Sequence, residues 1–284
     1  FLTSKGGLLD VNQVNPVSGV IGGPPCQAYS LAGRIRCPDG MKDDYRNFLF
    51  EAYIEVLSKL QPDFFVFENV LGMLSARPGG SSVVERLSQS FEQAGYAIPD
   101  INKKIVFNLA ELGGPQFRRR VILFGINRSK FPFNANKLVQ GFYAVLNSKK
   151  SIPATTSSAI GDLPVLLPLS TQSGRKSHQS DHQDSLHQSR FHNARDIEIF
   201  RALALDAKSP DPQYRSIEAL KKLYTQKTGK TAAVHKYFVL YPDRPSNLIP
   251  AHLHKDGLRH IHYDPEQART ITMREAARLQ TFPD

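Results

Sequence analysis

The chain has 284 residues, 40% of them hydrophobic, enough to bury the core of one large domain or two modest ones. No run approaches the roughly 18 consecutive apolar residues that cross a bilayer, which argues against a membrane-embedded role. Thirty-six Lys and Arg against 26 Asp and Glu leave a net charge of +10, a surplus that attracts polyanions in a salt-dependent way but also suits an ordinary basic enzyme.

Phe1 rather than methionine opens the sequence, so the natural start is expected to lie upstream, and Phe1 to Pro16 reads as a connection. Val17 to Ile21 is a short apolar run that reads as a buried strand, broken sharply by Gly22-Gly23-Pro24-Pro25. Cys26 therefore follows the carboxyl end of a strand, the edge at which open parallel sheets bind ligands. A thiol on a rigid Pro-Pro turn is placed to react, yet a lone cysteine also commonly serves as a small buried hydrophobe, and this loop alone leaves both readings open. Cys26 and Cys37 are the only cysteines, too few for a disulfide framework or a cysteine-based zinc site, and both are expected reduced in a cytoplasmic protein.

Leu31 to Tyr45 contains Gly33, Pro38 and Gly40 among basic residues and reads as a long loop, either a lid beside the cysteine or a solvated excursion. The apolar spacing from Asn47 to Leu60 predicts a helix, ended by Gln61-Pro62-Asp63. Phe64 to Phe67 is a continuous apolar strand that places Glu68 at its carboxyl end. A second helix is predicted from Ser82 to Gly95, with Val83, Leu87 and Phe91 on one face, followed by strands at Lys104–Asn108 and Arg120–Ile126. Alternating strands and helices predict a doubly wound α/β domain.

The pattern changes after about Asn127. Ser170 to Asn193 is polar, and His178, His182, His187 and His192 fall four or five apart. No carboxylate or thiol spacing supports a metal site there, so none is assigned. Helices are predicted at Phe191–Ala207 and Ile217–Tyr224. Tyr237 to His262 mixes aromatics, prolines and basic residues, including Lys236, Arg244, Lys255 and Arg259, a composition suited to phosphates and bases that a plain surface would also explain.

Four blocks in order carry a resemblance: Gly23-Pro24-Pro25-Cys26-Gln27-Ala28-Tyr29-Ser30; Phe67-Glu68-Asn69-Val70; Gln116-Phe117-Arg118-Arg119-Arg120; and Arg269 to Asp284, containing Thr272-Met273-Arg274-Glu275 and Arg278-Leu279-Gln280-Thr281-Phe282-Pro283-Asp284. Together they resemble the DNA cytosine-5 methyltransferases of bacterial restriction-modification systems. Ala159-Ile160-Gly161-Asp162-Leu163-Pro164 is similar to a further passage common in that family. The resemblance implies a Rossmann-like methyltransferase domain, its N-terminal part missing, with a smaller DNA target-recognition domain. The boundary is set at residues 130 and 131, with the recognition segment at about Phe131 to Asp264.

It further implies that Cys26 attacks carbon 6 of cytosine, that Glu68 neutralises the charge this leaves on the ring, and that Arg120 reaches the pyrimidine carbonyl and orients Glu68. Arg118 and Arg120, two apart at the start of a strand, point to one face; alone, this pair would read as a surface salt-bridge set. Arg118 joins the catalytic set. Gln27, Ser30, Arg46, Gln116 and Lys255 are the candidate DNA contacts, with Gln116 also organising its loop. The target base must be flipped out of the duplex to be reached.

The implied methyl donor is S-adenosylmethionine. Its glycine-rich loop would lie upstream of Phe1 and a closing segment beyond Asp284, so a truncated chain is expected, in which Pro25 and Leu49 alone remain to touch the donor and hold it weakly. The expected partner is double-stranded DNA, with a cognate endonuclease in the same system, no membrane association and a monomeric protein. Two alternatives are a DNA-binding subunit that is inactive alone and a transfer-RNA cytosine-5 methyltransferase.

Overall fold

The computed structural model describes residues 17–25, 49–77, 80–179, 182–231, 237–251, 253 and 257–284. The chain forms two compact units, one of residues 1–108 and 119–150 and the other of residues 109–118 and 151–284. This partition falls after Lys150 rather than at the expected 130/131, with residues 109–118 passing to the second unit. The helix that moves the boundary, Ala135–Ser148, packs its Ala135 and Val139 against the sheet of the first unit.

In the first unit, β1 (Gly19–Gly22) pairs in parallel with β2 (Phe64–Asn69), with Ile21 opposite Val66. The long strand β5 (Arg119–Asn127) lies antiparallel on the other side of β2, with Glu68 opposite Ile122. Two short strands, β3 (Tyr96–Ala97) and β4 (Val106–Asn108), share the far edge of β5 and also run antiparallel to it. The described sheet is therefore mixed rather than the parallel sheet expected from a doubly wound fold. The chain enters β5 from the excursion at residues 109–118, directly after β4, so it turns back on itself where a parallel crossover would need a dozen or more residues.

Helices nonetheless cover both faces. Alternation along β2 turns Phe65 and Phe67 to one side, where they pack with Tyr53 and Leu57 of α1 (Leu49–Leu60) and Leu87 and Phe91 of α2 (Val83–Gln93). Phe65 stacks on Phe91 at 4.4 Å between centroids. Phe64 and Val66 turn to the other side, with Phe124 and Ile126 of β5, under α3 (Ala135–Ser148). Ser82 caps α2 by accepting from the Glu85 N–H, and Gly95 follows with φ +88°.

Gly125 shows how closely the sheet is packed, since a methyl group built there would overlap the Phe65 ring. Gly125→Ala is expected to destabilise the protein by about 1–3 kcal/mol. A urea midpoint equal to that of the wild type would contradict this packing.

The second unit contains α4 (Thr156–Ile160), the hairpin β6 (Pro168–Ser173) and β7 (Lys176–His178), α5 (Ala194–Lys208), α6 (Ile217–Thr228) and α7 (Met273–Leu279). Its apolar clusters centre on Phe200, Leu203 and Tyr237 and on Ile249, Ile271 and Leu279. Beside them lies a buried ion pair: Arg269 donates from Nη1 and Nη2 to the two carboxylate oxygens of Glu275, each at 2.7 Å, with both side chains 1% exposed. Glu275 also closes a capping box with Thr272 at the start of α7.

Of the four spaced histidines, His178, His187 and His192 serve as hydrogen-bonding posts around this pair. His187 Nε2 donates to the Pro164 carbonyl at 2.8 Å, which leaves Nδ1 to accept from the Thr272 hydroxyl at 3.0 Å. His178 likewise donates to the Gln267 carbonyl and accepts from Ser177. Burial pushes His178 and His262 down to about 4 and His192 down to about 3, so all three are neutral near pH 7. No helix among the described residues is long and apolar enough to cross a membrane.

Candidate active site

The site in the first unit is built at the carboxyl ends of β1 and β2. Glycines let the two strands and α1 approach closely: a β-carbon on Gly22 would lie 2.7 Å from the Tyr53 ring, and one on Gly23 would lie 2.9 Å from Glu68 Oε2. The Tyr53 hydroxyl faces two acceptors, Val20 O at 3.1 Å and Val66 O at 3.0 Å, and so ties α1 to both strands. Burial raises the Tyr53 phenol well above its ordinary value, which keeps that hydroxyl a donor. Tyr53 is not among the residues the sequence singles out; a polar tip on an otherwise apolar ring is the signal that marks it.

At the end of β2, the Asn69 amide donates to the Pro24 carbonyl at 3.4 Å while its Oδ1 accepts from the Val70 N–H at 2.8 Å, fixing the turn to the strand. Glu68 shares the sheet face of Ile122 and Arg120, and Arg120 is its diagonal neighbour across the antiparallel pair. Arg120 Nε meets Glu68 Oε1 at 2.7 Å, with the arginine side chain 18% and the glutamate 41% exposed. A second arginine donor, Nη1, bonds the Arg119 carbonyl at 2.9 Å, so the guanidinium is held from two directions. The carboxylate is thus oriented and still open to a ligand.

Pro25 and Leu49, the two residues expected near the donor, line one cleft of about 560 Å³ together with Gly22, Pro24, Tyr53 and Val56. This mostly apolar lining suits the rings and methylene groups of S-adenosylmethionine. Its charged residues, Glu55 and Lys59, are paired with each other at 2.6 Å. The described residues therefore fit the apolar part of the donor, while its charged and hydroxyl groups would need further partners.

Gln116 requires a correction as a DNA contact. It is completely buried in the second unit, where its amide donates to the Leu279 carbonyl at 3.2 Å and the flanking Pro115 and Phe117 pair with Ser246. It organises the loop and cannot touch DNA from that position. Arg118 precedes β5, and its carbonyl accepts from the Leu109 N–H. Cys26, Gln27, Ser30, Arg46 and Lys255 lie outside the described residues.

The sequence is 35% identical to the type II methyltransferase M.Bpa9945I of Bacillus paralicheniformis over 97% of this chain and 65% of that protein. It is 28% identical to the type II methyltransferase M.DdeI of Desulfomicrobium norvegicum over 95% of this chain and 64% of that protein. The chain thus spans slightly under two thirds of these relatives. A solved prophage-encoded protein from E. coli, described as a DNA modification methyltransferase, shares the fold with TM-score 0.54 and 23% identity over 97% of this chain and 75% of that one. The sequence model of the C-5 cytosine-specific DNA methylases matches residues 5–284, nearly the whole sequence, and the chain belongs to that family.

Proposed function

We propose that the protein transfers a methyl group from S-adenosylmethionine to carbon 5 of cytosine in a specific duplex DNA sequence, through a covalent bond from Cys26 and with the target base turned out of the helix. Carbon 5 is a weak nucleophile, so the thiolate of Cys26 adds to carbon 6 and drives electrons into the ring. Glu68 holds a proton at the ring nitrogen where that charge collects, and Arg120 fixes the carboxyl and binds the pyrimidine carbonyl. The donor supplies an electrophilic methyl group when bound. Once carbon 5 carries the methyl, loss of its proton and breaking of the sulfur–carbon 6 bond restore the thiolate. Pro25, Leu49 and Tyr53 form the donor's apolar wall, the first unit carries catalysis, and the second reads the target.

The observation that supports this reading most is the Glu68–Arg120 pair at 2.7 Å, beside the turn that runs through Pro24 and Pro25 toward Cys26. The type II names of the relatives favour a place in a restriction-modification system, with a cognate nuclease that cuts the unmethylated site.

Duplex DNA carrying 5-fluorocytosine tests the mechanism, because fluorine at carbon 5 blocks the proton loss that releases the enzyme. The full-length protein with donor is expected to form a denaturant-stable complex whose mass equals protein plus DNA plus one methyl group, and Cys26→Ser is expected to abolish it. Failure of the donor-bound wild type to form that complex would remove the covalent mechanism.

A further inference from the structure

We propose that a cleft lined by residues of the second unit alone binds a phosphodiester of the DNA substrate together with the ring of the adjoining nucleotide; that this strand is DNA rests on the function proposed above. The cleft has a volume of about 470 Å³ and is lined by Arg215, Arg244, Tyr214, Phe238, Tyr241 and Asp206. That volume lies within the roughly 300–1,000 Å³ usual for small-ligand sites.

Arg244 is the centre of the site. Its guanidinium carbon sits 3.5 Å from the centroid of the Tyr241 ring. Such a stack occupies the face of the guanidinium and leaves its in-plane N–H donors free, in a fork that matches a phosphate. The loop beneath it is rigidly held: the N–H and hydroxyl of Thr156 both donate to the Arg244 carbonyl, each at 2.9 Å, and those of Ser157 donate to the Pro242 carbonyl at 3.0 and 2.8 Å. The arginine is therefore presented on a prepared platform rather than left to wander.

Arg195, Arg269, Arg274 and Arg278 have carboxylate partners, whereas Arg215 and Arg244, like Arg201 and Arg259, have none among the described residues, and of these four only Arg215 and Arg244 line this cleft. The one acidic side chain on the described wall, Asp206, accepts from the Gln213 N–H at 2.7 Å and the Tyr214 N–H at 3.0 Å, and so fixes the turn that carries Tyr214 and Arg215. Two guanidinium groups that form no ion pair among the described residues thus line the same cleft as Phe238, which is 38% exposed, and the half-buried Tyr214. A phosphate answers the charges and a base or sugar ring answers the faces.

The test measures duplex affinity of the full-length protein across a salt series, by fluorescence anisotropy, for wild type, the double variant Arg215→Ala/Arg244→Ala, and Arg244→Lys. The double variant is expected to bind about tenfold or more weakly near physiological salt and to lose about one from the slope of log affinity against log salt, for the one phosphate the cleft holds. Arg244→Lys keeps the charge but loses the planar stack, so its slope should match the wild type while its affinity falls. Both replaced side chains are exposed, and an unchanged melting temperature shows that any loss is local. If the wild type binds and forms the 5-fluorocytosine complex while the double variant keeps both affinity and slope, the cleft is not a DNA site and the proposed function stands. A wild type with no affinity for duplex DNA overturns both.

Discussion

Glu68→Gln is expected to lower the single-turnover rate of methyl transfer by about 10²–10⁴-fold, the range typical for loss of one positioned proton donor, with duplex affinity within a few-fold of wild type. Glutamine has nearly the same shape and its carbonyl oxygen can still accept from Arg120, so the 2.7 Å contact and the strand geometry survive. What is lost is the acidic proton at the moment ring charge develops. Arg120→Lys should have a smaller effect in the same direction, because an ammonium keeps the charge but cannot bond Glu68 and the Arg119 carbonyl from one rigid plane. Rapid-quench assays with saturating DNA and donor separate these losses from binding. Wild-type turnover in Glu68→Gln would refute the proton-donor role, whatever the fate of Cys26.

Breaking the Arg269–Glu275 pair is expected to have the largest effect on stability. Arg269→Met leaves a carboxylate 1% exposed without its partner, and removing one member of such a pair costs about 3–5 kcal/mol. Acid should do the same by titration. Glu275 is held down to about 2 although burial opposes this: the Arg269 charge and hydrogen bonds favour its ionised form, with help from His262 and the Thr272 N–H. Its folded-state value is depressed, so its contribution is complete above about pH 4.5 and is lost as pH falls toward 2.

The histidines act in the same direction for a different reason. Burial depresses His178 and His262 from 6.5 to about 4, so between those limits the unfolded chain binds protons that the folded chain refuses. Stability then rises with pH across that window, by on the order of 3 kcal/mol for each ring at full effect. Chemical denaturation of the protein between pH 8 and 4 should show a plateau above about pH 6.5 and a steep decline below it. A stability independent of pH across this range would mean that these rings are hydrated.

The strands and helices that the sequence announced most clearly were those with an unbroken apolar signal. Phe64 to Phe67 could be read as a strand because four such residues in a row fit a strand covered on both faces, and it extends to Asn69. The α1 and α2 helices were legible from their spacing and from Ser82 and Gly95 at the ends of the second. Helix α3 repeats Val139, Phe142 and Tyr143 at helical intervals, but an apolar face that short among polar residues does not by itself say which unit it packs on. Strand direction could not be read locally: whether β5 runs with or against β2 depends on the connection that feeds it.

The site divides similarly. Glu68 and Arg120 were legible as letters in order, but their contact arises from a register, Glu68 opposite Ile122, that no single segment encodes. Gln116 shows the limit of reading roles from letters. Its position in a recurring block suggested contact with ligand, and the fold instead uses its amide inside a core.

The passage of residues 109–118 through the second unit has a practical corollary. Neither unit is one continuous stretch of gene, so a clone of residues 151–284 would lack the strand-like pairing of Gln116 with Ser246 and would leave the Leu279 carbonyl without its donor. Dissection of this protein by simple truncation should therefore yield aggregates rather than modules. A transplant of the second unit into a relative would have to carry the ten-residue segment along with it.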